Sequence, residues 1–234
     1  MTSRYRYLIP NAITFFSLAC GVISILSSAT GYVRLGGILI LTSYILDLFD
    51  GEVARRLKAG SAFGLQLDSL VDMVSMGTAP AVLVFFHLQG EGFNVAWAWP
   101  FVVMAPLAGA FRLARFNLGP AKTSDSDSMG LTISTAGATL TLAVLSDLAV
   151  TEKFIPNVAF ILLLVLLTGL MVSRIAFPPF TQVIGRRRST VALLALFAIS
   201  LIWLPFVNTW FLFTLGFVGF GLARAGQRVT FRRE

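Results

Sequence analysis

The feature that most constrains this chain is a recurrence of apolar windows, at Asn11 to Ser28, Ala96 to Leu113, Phe154 to Val172 and Val191 to Leu204, each near the length a helix needs to cross a bilayer. Hydrocarbon offers the backbone no hydrogen-bond partner, so these windows have to be helices that bond within themselves. Hydrophobic residues make up 56% of the 234 positions and charged ones only 12%, a balance foreign to soluble domains. The expected fold class is an all-α polytopic membrane protein. The net charge of +7 does not point to nucleic acid, because a basic groove with interleaved aromatics on a soluble face is missing. The single cysteine, Cys20, lies in the first apolar window and excludes both a disulfide framework and a Cys-based metal site.

Eight apolar helices are expected, at about residues 11–29, 35–58, 63–88, 95–117, 130–148, 154–174, 190–204 and 207–225. With a cytoplasmic N-terminus, all of the 18 Lys and Arg except Arg34 and Lys153 fall at inner ends and loops. That asymmetry is what the positive-inside rule predicts, and it places both termini in the cytoplasm. Trp97, Trp99, Trp203 and Trp210 then lie at the outer interface. His87 and Asp147 are also expected at outer helix ends, as interfacial residues. The stretch Lys122 to Ser128 is the longest hydrophilic loop, a solvated connector or a lid on the cytoplasmic side.

Within this apolar text stand four acids, Asp47, Asp50, Asp68 and Asp72. An Asp at a helix centre costs about 2.5 to 3.5 kcal/mol to insert, so something has to compensate them. Asp47 and Asp50 are three apart and Asp68 and Asp72 four apart, which puts each pair on one helical face. If the chain reverses near Ala59 and Gly60, an antiparallel hairpin sets Asp50 level with Asp68 and Asp47 level with Asp72, bringing all four together. An all-carboxylate, all-oxygen set suits Mg²⁺ or Mn²⁺. A hard cation at a membrane surface suggests phosphate chemistry, with one carboxylate left to take a proton from an attacking hydroxyl. Salt-bridged structural acids are disfavoured, since only Arg55 and Arg56 are near in sequence. A carboxylate-lined transporter is the rival from another class, though its carboxylates would be expected at the midplane between inverted repeats. Gly51 and Ala54 either open a groove beside the acids or serve tight helix packing, and Arg55 can hold a phosphate or pair with Glu52.

Asp47, Asp50-Gly51, Ala54-Arg55, Gly64, Asp68 and Asp72 match the pattern D-x2-D-G-x2-A-R-x8-G-x3-D-x3-D, and by it the chain resembles the CDP-alcohol phosphotransferase family. The resemblance implies a six-helix membrane core over residues 1–180 and a homodimer with a two-metal site open to the cytoplasm. Residues 181–234 would add two helices and a basic tail. It further implies that Asp47, Asp50, Asp68 and Asp72 bind Mg²⁺ or Mn²⁺ and that Asp72 is also the catalytic base. Asn11, Thr14, Gly51, Ala54, Arg55 and Gly64 would hold the CDP moiety; as bare sequence, Asn11 and Thr14 read equally well as a helix cap. The run from Asp68 to Ala81, with Arg112 to Asn117 and Leu170 to Ile175, is most similar to the serine-using branch of the family. The implied reaction moves a phosphatidyl group from a CDP-diacylglycerol-type lipid to serine in the cell membrane. Glycerol phosphate, inositol phosphate and choline are the other acceptors. Ser17 stands where that branch often has Asn, and Thr132 and Ser134 stand where it has prolines. Arg112 and Arg115 could meet an acceptor carboxylate or a lipid phosphate, or anchor the inner face.

Overall fold

The computed structural model describes residues 5–57, 59–118, 128–150, 155–178 and 204–230, with residues 196 and 200 besides. The helices are α1 (Tyr5–Ala29), α2 (Val33–Arg56), α3 (Ala62–Gly90), α4 (Trp99–Asn117), α5 (Ile133–Asp147), α6 (Asn157–Val172) and α7 (Phe206–Thr230). A two-residue antiparallel ribbon, β1 (Ser128–Met129) with β2 (Ala176–Phe177), joins the start of α5 to the end of α6. The helix expected at 190–204, most of the connector 122–128, Lys153 and Trp203 lie outside the described residues.

Among the described residues, four helical stretches are long and apolar enough to cross a membrane: Tyr7–Ala29, Ala62–Gly90, Val95–Asn117 and Phe206–Ala225. The outward faces of the first three carry Phe16, Leu70 and Leu107, and that of the shorter apolar helix α6 carries Leu162, each more than 60% exposed. Such surfaces need lipid rather than water. The helix α5 is the opposite case. Its 15 residues span only roughly 22 Å at 1.5 Å per residue, and nearly all of them are buried, so it forms the axis around which the others pack.

Lipid tails are as apolar as Leu, so these helices associate by close packing of small residues and by interhelical hydrogen bonds. Ser17 of α1 and Ser43 of α2 place their hydroxyls 2.7 Å apart, and Ser75 of α3 donates to the Ser17 carbonyl at 3.3 Å. Ser17 is thus a packing residue at a three-helix seam. On the other side of α3, Gly137 of α5 lies so close that a Cβ there would meet the Met76 carbonyl oxygen.

Sequence periodicity predicts a regular third helix, but Met73–Thr78 forms a π-helical turn directly after Asp72. The Thr78 hydroxyl donates to the Met73 carbonyl at 3.0 Å inside it. Such turns recur at functional sites, because one extra residue re-aims what precedes them. A second correction concerns the outer end. His87 and Asp147 are not interfacial: both are buried, His87 Nε2 is 3.0 Å from Asp147 Oδ2, and Asp147 Oδ1 accepts from the Ile155 amide at 2.7 Å. The pair ties α3 to the α5–α6 connection. Arg34, from α2, donates to the Leu148 carbonyl at the end of α5, where orphan helix carbonyls welcome a cation.

The α3–α5 contact is backbone against Cα, so it has no side chain to yield. Gly137→Ala is expected to destabilise the protein by about 1 to 3 kcal/mol, seen as a lowered melting midpoint in detergent.

Candidate metal centre and active site

The acids come from the end of α2 and the start of α3. The turn between them closes with Leu57 and Ala59 amides donating to the Val53 and Ala54 carbonyls at 2.9 Å. Ser61 then caps α3, its hydroxyl accepting from the Gly64 amide at 2.9 Å. Between this turn and the π turn, α2 and the first half of α3 scarcely touch, while α1 packs on both. A groove is therefore left along α1, with the acids on its two walls.

Asp47, Asp50 and Asp68 each bring one carboxylate oxygen into a cluster whose atoms lie within 4.8 Å of one another. Asp50 is buried, and the Thr14 hydroxyl lies 2.6 Å from its Oδ2 and 3.0 Å from the Pro10 carbonyl. Among the described residues no Lys or Arg makes an ion pair with these three acids or with Asp72. Three clustered carboxylates without a counter-cation repel one another, and a divalent ion among them removes the repulsion. The donor set, all hard oxygen, fits Mg²⁺ or Mn²⁺ and leaves soft metals without a suitable ligand.

The four acids converge: Asp72 is the strongest charge neighbour of Asp47 and Asp50 that of Asp68, while the oxygens that gather within 4.8 Å belong to Asp47, Asp50 and Asp68. Tyr44, one turn before Asp47 on the same face of α2, sits close to both Asp47 and Asp72, a neighbour that the helical spacing alone could have flagged.

The remaining sequence candidates fall in several places. Thr14 faces the metal-binding triad through Asp50, and Asn11 places its Oδ1 3.7 Å from where a Gly64 Cβ would stand. Because α1 begins at Tyr5 and carries Pro10 within it, neither residue caps the helix. A Cβ at Gly51 would meet only Arg55 Nη1, at 3.4 Å, and one at Gly60 would meet nothing within 4 Å. The small residues there keep the groove open rather than seat another helix. Ala54 is half-buried on the same stretch of α2. Arg55 is exposed, with Nη2 3.0 Å from Glu52 Oε2, and Arg56 shares the same carboxylate at 2.6 Å. Solvated pairs of this kind contribute little, so Arg55 can turn to a phosphate at small cost.

Arg112 and Arg115, three apart on α4, have different surroundings. Arg115 donates to the carbonyls of Met129, Met171, Val172 and Ser173 at 3.0 to 3.3 Å, holding the end of α6 against β1. Gly130 is required beside it: φ is +78°, and a Cβ would stand 2.9 Å from Arg115 Nη2 and 3.1 Å from the Ser173 carbonyl. Arg112 is 7% exposed, donates from Nη2 to Ser128 Oγ at 3.2 Å, and lies within electrostatic range of Asp72 without forming an ion pair with it. Ser134, in the first turn of α5, is a polar neighbour of the Asp72 carboxylate. Ser128 carries no signal in the sequence that would single it out from other serines, and Ser134 stands out only as a departure from the family's proline.

The model of the CDP-alcohol phosphatidyltransferase family matches residues 7–169, which takes in α1 through most of α6 and every acid of the cluster. The chain belongs to this family. A CDP-diacylglycerol–serine O-phosphatidyltransferase of Helicobacter pylori is 35% identical over 186 residues, covering 76% of this chain and 74% of the relative. The protein of that name from Bacillus subtilis is 34% identical, over 74% of this chain and 92% of its own length. An archaetidylserine synthase of Methanothermobacter thermautotrophicus is 29% identical, over 73% and 69%. For a family whose members act on CDP-linked alcohols, the region between α2 and α3 is the part of the fold where small residues, a phosphate-capable Arg and acids able to hold a metal ion meet.

Asp47→Asn removes a ligand charge from the triad, and Asp72→Asn removes the carboxylate beside it. Both variants are expected to lose CMP release by about 10²-fold or more, measured with CDP-diacylglycerol and Mg²⁺ or Mn²⁺ in detergent, while remaining folded by melting midpoint.

Proposed function

We propose that this chain transfers the phosphatidyl group of CDP-diacylglycerol to the hydroxyl of L-serine, releasing CMP and leaving phosphatidylserine in the membrane. The observation that carries the reading is the adjacency of two groups at the edge of the metal-binding triad. Asp72 can accept a hydroxyl proton, and the buried Arg112, within electrostatic range of it, can hold a carboxylate. Serine offers a hydroxyl and a carboxylate on neighbouring carbons. Choline offers no anion, and phosphorylated acceptors would bring two negative charges to a site with one buried guanidinium. The serine phosphatidyltransferases of Helicobacter pylori and Bacillus subtilis, similar over most of this chain, support the same acceptor.

In this reading Asn11, Gly51, Ala54, Arg55 and Gly64 cradle the cytidine diphosphate in the groove, while Thr14 steadies Asp50. Mg²⁺ or Mn²⁺, as one ion or two among Asp47, Asp50 and Asp68 with Asp72 alongside, supplies charge neutralisation at the pyrophosphate oxygens. Asp72 takes the proton of the serine hydroxyl. The serine oxygen bonds to the β-phosphorus, and the bond from that phosphorus to the bridging oxygen breaks with its electron pair leaving on CMP. Holding the two reactants in line contributes much of the rate, since the protein has no other covalent chemistry to perform. The proposal includes a catalytic unit over residues 1–180, a homodimer in the cell membrane, and a groove and termini on the cytoplasmic side, where the Lys and Arg asymmetry supports them.

Purified protein given CDP-diacylglycerol, Mn²⁺ and a panel of serine, glycerol phosphate, inositol phosphate and choline is expected to release CMP with serine alone. Turnover with another member of the panel, and none with serine, overturns the acceptor. Exchange of Arg112 for Gln is expected to raise the KM for serine by about tenfold or more, with a smaller effect on CDP-diacylglycerol.

A further inference from the structure

Helices α3 and α4 run antiparallel, and two contacts fix their register. The Met73 sulfur lies 3.8 Å from where a Gly109 Cβ would stand, and Asn117 Nδ2 donates to Ser69 Oγ at 3.1 Å. Between these two points α4 carries Arg112 and α3 carries Asp72. Helix α4 packs closely on the π turn, but the first half of α3 scarcely touches it. The Asn117–Ser69 bond therefore spans a gap beside Asp72.

Along this stretch two buried polar atoms of opposite kind, Arg112 Nε and Asn117 Oδ1, have no hydrogen-bond partner among the described residues. The orientation of the Asn117 amide follows from its neighbour. The Ser69 hydroxyl donates its one proton to the Leu65 carbonyl at 3.2 Å, so its oxygen can only accept, and Asn117 has to present Nδ2 to it. Oδ1 is then turned away from Ser69. Arg112 commits Nη2 to Ser128 Oγ at 3.2 Å and leaves Nε over. Shielding a polar atom from water without a partner is costly, and such atoms call for a group that completes them. The two residues are five apart on α4, about 7.5 Å along the axis. One α-amino acid with a hydrogen bond of about 2.9 Å at each end covers that length.

We propose that Asn117 determines acceptor specificity: its Oδ1 takes a hydrogen bond from the ammonium of the acceptor amino acid, whose carboxylate Arg112 holds. The inference rests on the reading that serine is the acceptor, and it assigns the one polar group of serine that Asp72 and Arg112 leave over. An ammonium has donors only, so it needs an acceptor such as an amide oxygen. The amide is also neutral, and adds no further negative charge beside the clustered acids. A site built to bond an N–H rejects an analogue without one, because the buried oxygen is then left unpaired again. Choline, whose quaternary nitrogen carries no N–H, fails at this position as well as at Arg112.

The test sets serine against 3-hydroxypropanoate, which keeps the hydroxyl and the carboxylate and carries hydrogen in place of the ammonium. The KM for serine, and the Ki of 3-hydroxypropanoate as its competitor, are measured with CDP-diacylglycerol and Mn²⁺ in detergent for the full-length wild type, Asn117→Ala and Asn117→Asp. Asn117→Ala is expected to raise the KM for serine by about tenfold or more and to leave the Ki within about twofold. Asn117→Asp keeps an oxygen there and adds a charge, so the KM for serine should stay within about threefold while the Ki rises by about tenfold. An unchanged KM for serine in Asn117→Ala overturns the inference. So does an equal weakening of serine and 3-hydroxypropanoate, which marks a tie between helices and nothing more. Should Asn117→Ala fail to fold, Asn117→Asp decides, and a loss for serine that equals or exceeds the loss for 3-hydroxypropanoate overturns the inference. A wild-type protein that does not turn over serine overturns the proposed reaction and this assignment together, whereas the variant results bear on Asn117 alone.

Discussion

The structure depends on one electrostatic constraint: the carboxylates of Asp47, Asp50 and Asp68 must be held close together in apolar helices, with no ion-paired Lys or Arg among the described residues to neutralise them. Each Asp is costly in such a helix, and clustering multiplies the cost by mutual repulsion. The fold around Asp47, Asp50 and Asp68 is built to sustain the cluster. Ser17, Ser43 and Ser75 lock α1, α2 and α3 by polar contacts about one turn from the acids, and Thr14 steadies Asp50. An arrangement that is unfavourable for the protein alone becomes favourable when a divalent ion and a pyrophosphate enter it. Stability is given up at the point where binding and chemistry recover it.

The scaffold behind the site is rigid for related reasons. α5 is buried nearly throughout and meets the π turn backbone to backbone, so the segment that follows Asp72 has one place to lie. The Arg115 clamp and the β1–β2 ribbon fix the approach to α5, and the His87–Asp147 pair fixes its far end. Between α2 and α3, by contrast, Gly51 and Gly60 meet no packing partner from another helix. Rigid walls around one open groove suit a reaction that depends on alignment more than on covalent participation by the protein.

Much of this was legible in the sequence, because the strongest signals were local. Apolar windows gave the helices, and the spacing of Asp47, Asp50, Asp68 and Asp72 gave two facing pairs on a hairpin. What the spacing could not give is which oxygens gather most tightly, those of Asp47, Asp50 and Asp68. The π turn is invisible to periodicity, since Met73 to Thr78 continues an apolar helical pattern. His87 and Asp147 lie 60 residues apart, and nothing in the sequence of either names the other. Arg112 and Arg115 look alike as inner-face cations, yet one is buried beside Asp72 and the other is occupied by four carbonyls. In each of these cases the missing information is tertiary.

The central claim is that Asp47, Asp50 and Asp68 form the metal site. Anomalous scattering from the protein crystallised with Mn²⁺ tests it most directly. Density among the three carboxylates is the result expected. Manganese bound elsewhere, with that cluster empty at saturating ion, would contradict the account.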